Sequence, residues 1–83
     1  MLKDYNGWKN RDTWSVSLWI ANDYGLYTSA LEFMKDYKGR KPYKDFIEYM
    51  LLEDEKNPDN IKWISNKLGY RELNNFMNEF REH

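Results

Sequence analysis

Tyr5-Asn6-Gly7-Trp8-Lys9-Asn10-Arg11-Asp12-Thr13-Trp14-Ser15-Val16-Ser17-Leu18-Trp19-Ile20-Ala21-Asn22-Asp23 is the stretch whose local conformation decides the fold, because it reads with two periods at once. Over residues 13–20, Trp14, Val16, Leu18 and Ile20 alternate with Thr13, Ser15, Ser17 and Trp19, the period of a half-buried strand. Trp14, Leu18 and Ala21 also stack at helical spacing, and Asn10 or Asp12 suits a helix N-terminus. A lone strand leaves its own backbone groups unpaired, and no later segment reads as its partner. The stretch therefore predicts a helix over residues 12–23. A strand is retained only if two copies of the chain pair through it.

Working outward, residues 1–10 read as an irregular segment packed on the helical domain, with Asn6-Gly7 a turn. Gly25 is placed to stop the first helix in the left-handed conformation. Ser29 and Glu32 have the spacing of a capping box, so a second helix should start between residues 26 and 29. Its apolar face is Ala30, Leu31, Phe33, Met34 and Tyr37. Pro42 suits the first turn of a third helix, in which Tyr43, Phe46, Ile47, Met50 and Leu51 recur at i, i+3, i+4, i+7 and i+8. Asn57-Pro58 predicts cap and first position of a short fourth helix carrying Ile61, Ile64 and Leu68, ended by Gly69. A fifth helix over residues 71–81 aligns Leu73, Phe76, Met77 and Phe80. The expected architecture is all-α: one compact domain, residues 1–83, of four or five short amphipathic helices.

A chain of 83 residues has room for one core, and 4 Trp, 7 Tyr and 4 Phe supply the apolar area a small core needs. There is no cysteine, which excludes disulfides and thiolate chemistry, and the only histidine is the last residue, His83. With those groups missing, and with the carboxylates on the polar helix faces, the chain reads as a non-enzyme without cofactor or metal. Asp12 is expected as a helix cap, and residues 53–59 lack the spacing of a calcium loop. No apolar run reaches the length of a membrane span, and Met1-Leu2-Lys3-Asp4-Tyr5-Asn6 has no apolar leader core. Net charge is −1, which argues against a general nucleic-acid binder and against an acidic DNA mimic.

Written Y-N-G-W-x-N-x-x-T-W-x-V-x-L-W-I-x-N-D, residues 5–23 resemble the N-terminal signature of small, mostly uncharacterised bacteriophage-encoded proteins. The resemblance implies a phage or mobile-element origin, and without an apolar leader core or membrane-length run the expected compartment is the host cytoplasm. It implies no established activity. A small non-enzymatic chain of that origin is expected to bind a host protein, and the sharpest version is an anti-defence inhibitor of a CRISPR–Cas or restriction system. A homodimer is compatible with so small a core.

Trp19 falls off the Trp14–Leu18–Ala21 line. It is therefore expected at the surface, forming a partner-binding patch with Tyr5, Trp8 and Tyr24 and with Arg11 beside it, since Trp, Tyr and Arg dominate binding energy. The alternative is a nucleic-acid accessory protein using Lys35, Lys38, Arg40, Lys41 and Lys44, with Tyr37 and Tyr43 interleaved for stacking. A structural or assembly component is the second alternative. Residues 61–80 partly match a helix-turn-helix, but Asn75 and Asn78 stand where apolar residues belong, and Glu72, Glu79 and Glu82 make a poor phosphate surface.

Overall fold

A computed structural model describes residues 7–82. Helix α1 (Arg11–Asn22) begins at Asn10, whose side-chain oxygen accepts the Thr13 N–H at 2.9 Å and the Thr13 hydroxyl at 2.6 Å. Helical propagation thus wins over the alternating pattern. Asp23 alone separates α1 from α2 (Tyr24–Lys35), donating its N–H to the Trp19 carbonyl and accepting the Leu26 N–H on its carboxylate. One aspartate therefore caps both helices. Gly25 lies inside the first turn of α2 rather than in a left-handed stop, and the Ser29–Glu32 start is superseded because Asp23 supplies the cap earlier.

Helix α3 (Pro42–Tyr49) starts at its proline as expected and buries Pro42, Tyr43, Phe46 and Ile47. It ends sooner than its apolar stripe. Leu52 N–H bonds to the Ile47 carbonyl and Leu51 N–H to that of Glu48, a Schellman closure with Leu51 left-handed at φ 60°. Leu51 is consequently 79% exposed instead of buried. Helix α4 (Tyr70–Asn78) continues into a 3-10 turn (Glu79–Glu82), and its Leu73, Met77 and Phe80 enter the core. Helix α1 packs on α2, α3 on α4, and α2 on the 3-10 turn. The radius of gyration, 11.9 Å, is that of one folded unit of this length, about 11.8 Å. The protein is a small all-α domain.

Two expectations are corrected. The buried ridge of α1 is Thr13, Val16, Ser17 and Ile20, while Trp14 and Leu18 are half-buried and Ala21 is exposed. Small hydroxylated residues can go inside because their oxygens find partners: Thr13 Oγ1 accepts the Gly69 N–H at 2.9 Å and Ser17 Oγ donates to the Trp14 carbonyl. The second correction concerns the fourth helix, which does not form. Residues 50–69 run without helix, crossed by one isolated antiparallel bridge between Lys56 and Lys62.

Asn57 explains why. It is 4% exposed, and its side-chain oxygen accepts the N–H groups of Asp59 and Ile61 while its amide donates to Ser15 Oγ at 3.1 Å. Asn57 N–H returns to the Ile61 carbonyl, and Asn60 turns the chain at φ 68°. Asn-Pro-Asp-Asn closes a turn instead of opening a helix. The turn delivers Trp63 into the core at 3% exposure, where the Tyr43 hydroxyl donates to the Trp63 carbonyl at 2.6 Å.

Asn57→Ala removes three hydrogen bonds at a buried site and should cost about 2–4 kcal/mol of unfolding free energy, read from urea denaturation. Tyr43 gives a pH signature. Burial disfavours its phenolate and holds the folded pKa far above the ordinary tyrosine value. Above about pH 10 the unfolded chain sheds a proton that the folded chain keeps, so this residue makes stability fall by up to about 1.4 kcal/mol per pH unit. Tyr43→Phe should lose that alkaline slope while costing about 1–2 kcal/mol at neutral pH, where the Trp63 carbonyl loses its donor. Urea midpoints across the alkaline range check both.

Candidate functional site

Of the expected aromatic patch, Tyr5 lies outside the described residues, as does His83. Arg11 is exposed in the first turn of α1, and Tyr24 is 81% exposed at the start of α2. Trp19 has a covering element after all, the irregular segment that replaces the fourth helix. It is half-buried against the core, and its indole N–H donates to Asp59 Oδ2 at 3.0 Å, the oxygen that also accepts from Ser15 at 3.1 Å. Ser15 and Trp19 sit one turn apart on α1, so this side of the helix carries the 57–61 turn.

Trp8 sits elsewhere. Its ring meets Phe76 of α4 edge-on at 6.0 Å, and the next residue, Lys9, donates its backbone N–H to Glu72 at 2.6 Å. Gly69 lets that segment approach: a Cβ there would stand 3.0 Å from Lys9 Cβ and 2.7 Å from Glu72 Oε1. Phe76 meets Phe80 at 5.3 Å, and Phe80 meets Tyr27 of α2 at 5.6 Å. Trp8, Phe76, Phe80 and Tyr27 thus form a continuous ladder. Two shallow grooves of about 230 and 180 Å³ run beside it, sharing Phe76 and Glu79. Tyr24, one turn before Tyr27, extends the same side of α2. The structure therefore joins Trp8 to Phe76 and not to Trp19. Phe76 was legible as an apolar position on α4, but its pairing with Trp8 is a long-range contact that no periodicity reports.

The cations Lys35, Lys38, Arg40, Lys41 and Lys44 are all exposed, yet their aromatic companions are engaged. Tyr43 is in the core. Tyr37 donates to Asp45 at 2.5 Å and accepts the Lys41 N–H at 3.0 Å, with the Arg81 guanidinium 5.9 Å over its ring. Burial, first, and the bond to Asp45 raise the Tyr37 pKa above the ordinary value. Neither tyrosine is a stacking platform of the kind expected. The helix-turn-helix likeness fails as well, since residues 61–69 are not helical. Among the described residues no group of three or more His, Cys, Asp or Glu is placed to hold a metal ion, and no helix is long and apolar enough to cross a membrane.

A family model described as a family of unknown function, DUF7249, matches residues 1–83. The chain belongs to that family. No curated protein and no solved structure shows significant similarity to it.

Trp19 is bound into the domain by packing and by its indole N–H, so its variants should report on stability. Trp19→Phe keeps most of the ring contact and should cost about 1 kcal/mol, the worth of one hydrogen bond, whereas Trp19→Ala should cost about 2–3 kcal/mol. Thermal unfolding followed by far-UV circular dichroism measures both.

Proposed function

We propose that this chain is a non-enzymatic binding protein that engages a host protein through the Trp8–Phe76 face, with Tyr24 at its edge. The observation that carries the reading is the aromatic ladder from Trp8 to Tyr27, half-open along two grooves and rimmed by Glu79. The half-buried rings of Trp8, Phe76 and Tyr27, held edge-on with the buried Phe80 between them, offer large contact area at low entropic cost, which is what protein-binding anchors provide. The carboxylate of Glu79 favours a partner segment whose apolar side chains are flanked by lysine or arginine.

Binding rather than catalysis suits a chain without cysteine and with one terminal histidine. Its core hydroxyls are also committed: Thr13, Ser15 and Ser17 each hold structural hydrogen bonds. The phage-like wording of residues 5–23 supports a role in the host cytoplasm during infection, with anti-defence inhibition its sharpest form. That last step rests on origin and not on the geometry of a site.

Capture from a lysate of the bacterial host, at low and high salt, tests the reading. One host protein should be retained at high salt, because apolar contacts resist screening. Tyr24→Ala and Trp8→Ala should each weaken that capture by about thirtyfold, about 2 kcal/mol, with helical signal preserved. Retention unaffected by both substitutions removes this face as the anchor.

A further inference from the structure

A second surface, on the other side of α4, sorts charge in a way that composition does not. Glu72, Asn75, Phe76 and Glu79 share one side of that helix at i, i+3, i+4 and i+7, whereas Tyr70 and Asn74 lie on the opposite side. There Tyr70 and Asn74, with Lys41, Lys44, Ser65 and Asn66, line a groove of about 480 Å³. A second groove of about 470 Å³ shares Ser65 and Asn66 with the first and is lined by Lys56, Lys62 and Lys67. Asp12 is the one carboxylate in either lining. Five lysines against one acid, in a chain whose net charge is −1, make a positive trough.

Its polar groups are set for a ligand that carries both phosphates and hydrogen-bonding rings. Asn74 uses its oxygen on the Tyr43 N–H at 3.1 Å, which leaves its amide hydrogens for the groove. Asn66 is exposed where the two grooves meet, and Asn60 lines the second. The Tyr70 hydroxyl accepts the Ser65 N–H at 3.0 Å and donates to the Ser65 carbonyl at 2.8 Å, so its ring is a fixed wall. Lysines along a concave path neutralise successive phosphates, amides meet base edges, and a rigid aromatic ring offers a stacking surface. An acidic peptide would use the lysines but neither the amides nor the ring to comparable effect.

We infer that the joined grooves on either side of Ser65 and Asn66, with Lys41 and Lys44 in one and Lys56, Lys62 and Lys67 in the other, bind single-stranded nucleic acid. The surface is distinct from the Trp8–Phe76 face, so the two readings stand or fall separately.

Fluorescence anisotropy with a labelled oligothymidylate of about 12 nucleotides, a length within the reach of small single-strand binders, tests this on the full chain. Binding should appear at low salt and weaken as salt rises, with a log–log slope of up to about −3.5 if all five lysines meet phosphates. Lys44→Glu and Lys67→Glu, one in each groove, should each lower affinity at least about tenfold, while the same reversal at Lys35, outside both linings, should cost clearly less. Circular dichroism checks that these surface variants fold. Asn74→Ala should weaken binding without changing the salt slope, which a purely electrostatic surface would not show.

No binding at low salt overturns the inference. So does equal loss from Lys35→Glu, which would reduce the effect to total charge. Duplex of the same length bound as tightly, or poly-glutamate competing as well as the oligonucleotide, overturns the single-strand assignment.

Discussion

Twenty consecutive residues, 50–69, cross this small domain without a helix or strand to pair their backbone groups, and the buried groups that their own turns leave over need partners supplied from outside. Side chains of the helices do that work. Thr13 takes the Gly69 N–H, Asn10 donates to the Lys67 carbonyl, Tyr43 donates to the Trp63 carbonyl, and Tyr70 clasps Ser65 at both its N–H and carbonyl. Asn57 organises the turn from within and reaches Ser15. Among the described residues no buried side-chain polar atom is left without a partner. Since an unpaired buried polar group costs about 1–3 kcal/mol, a domain this size tolerates few such failures.

This requirement explains the unusual character of α1. Its buried ridge carries Thr13 beside Val16 and Ile20, and Ser15 is buried on a neighbouring side; both serve the segment, whereas the buried Ser17 hydroxyl bonds within α1. An all-aliphatic ridge would bury more apolar area but would leave the irregular segment unsatisfied. Trp19 and Asp59 extend the same arrangement to the edge of the domain. The tryptophans divide accordingly: Trp63 fills the core, Trp19 braces the 57–61 turn, and Trp8 lies on α4 beside open grooves.

Surface chemistry follows from the same segment. Its outward residues include Lys56, Lys62 and Lys67, and folding the segment against α1 places them in a groove that adjoins, at Ser65 and Asn66, the one lined by Lys41 and Lys44 at the start of α3. Across α4, the Trp8–Phe76 face carries Glu79 at its rim. A nearly neutral chain thus presents unlike surfaces on the two sides of one short helix.

Helix existence, the all-α class and most of the α3 and α4 core positions could be read from sequence, because apolar residues at i, i+3 and i+4 bury together on any amphipathic helix. The double cap at Asp23 was less plain, since Gly25 and the Ser29–Glu32 pair offered competing signals. The Asn-Pro-Asp-Asn run was ambiguous for a physical reason: Asn before Pro is both a good helix cap and a good turn opener. Only tertiary partners chose between them, through Ser15 reaching Asn57 and through Trp63 reaching Tyr43. The ridge that α1 buries was also beyond local pattern, because Thr13 and Ser15 become good core residues only when a polar segment lies within hydrogen-bond distance, while Ser17 is satisfied by the Trp14 carbonyl of its own helix. Sequence alone determined that the stretches forming α1 to α4 coil into helices, since that depends on spacing within a few turns, but not that residues 57–68 do not. Tertiary structure decided which tryptophans are anchors and which are braces, because that depends on what covers them.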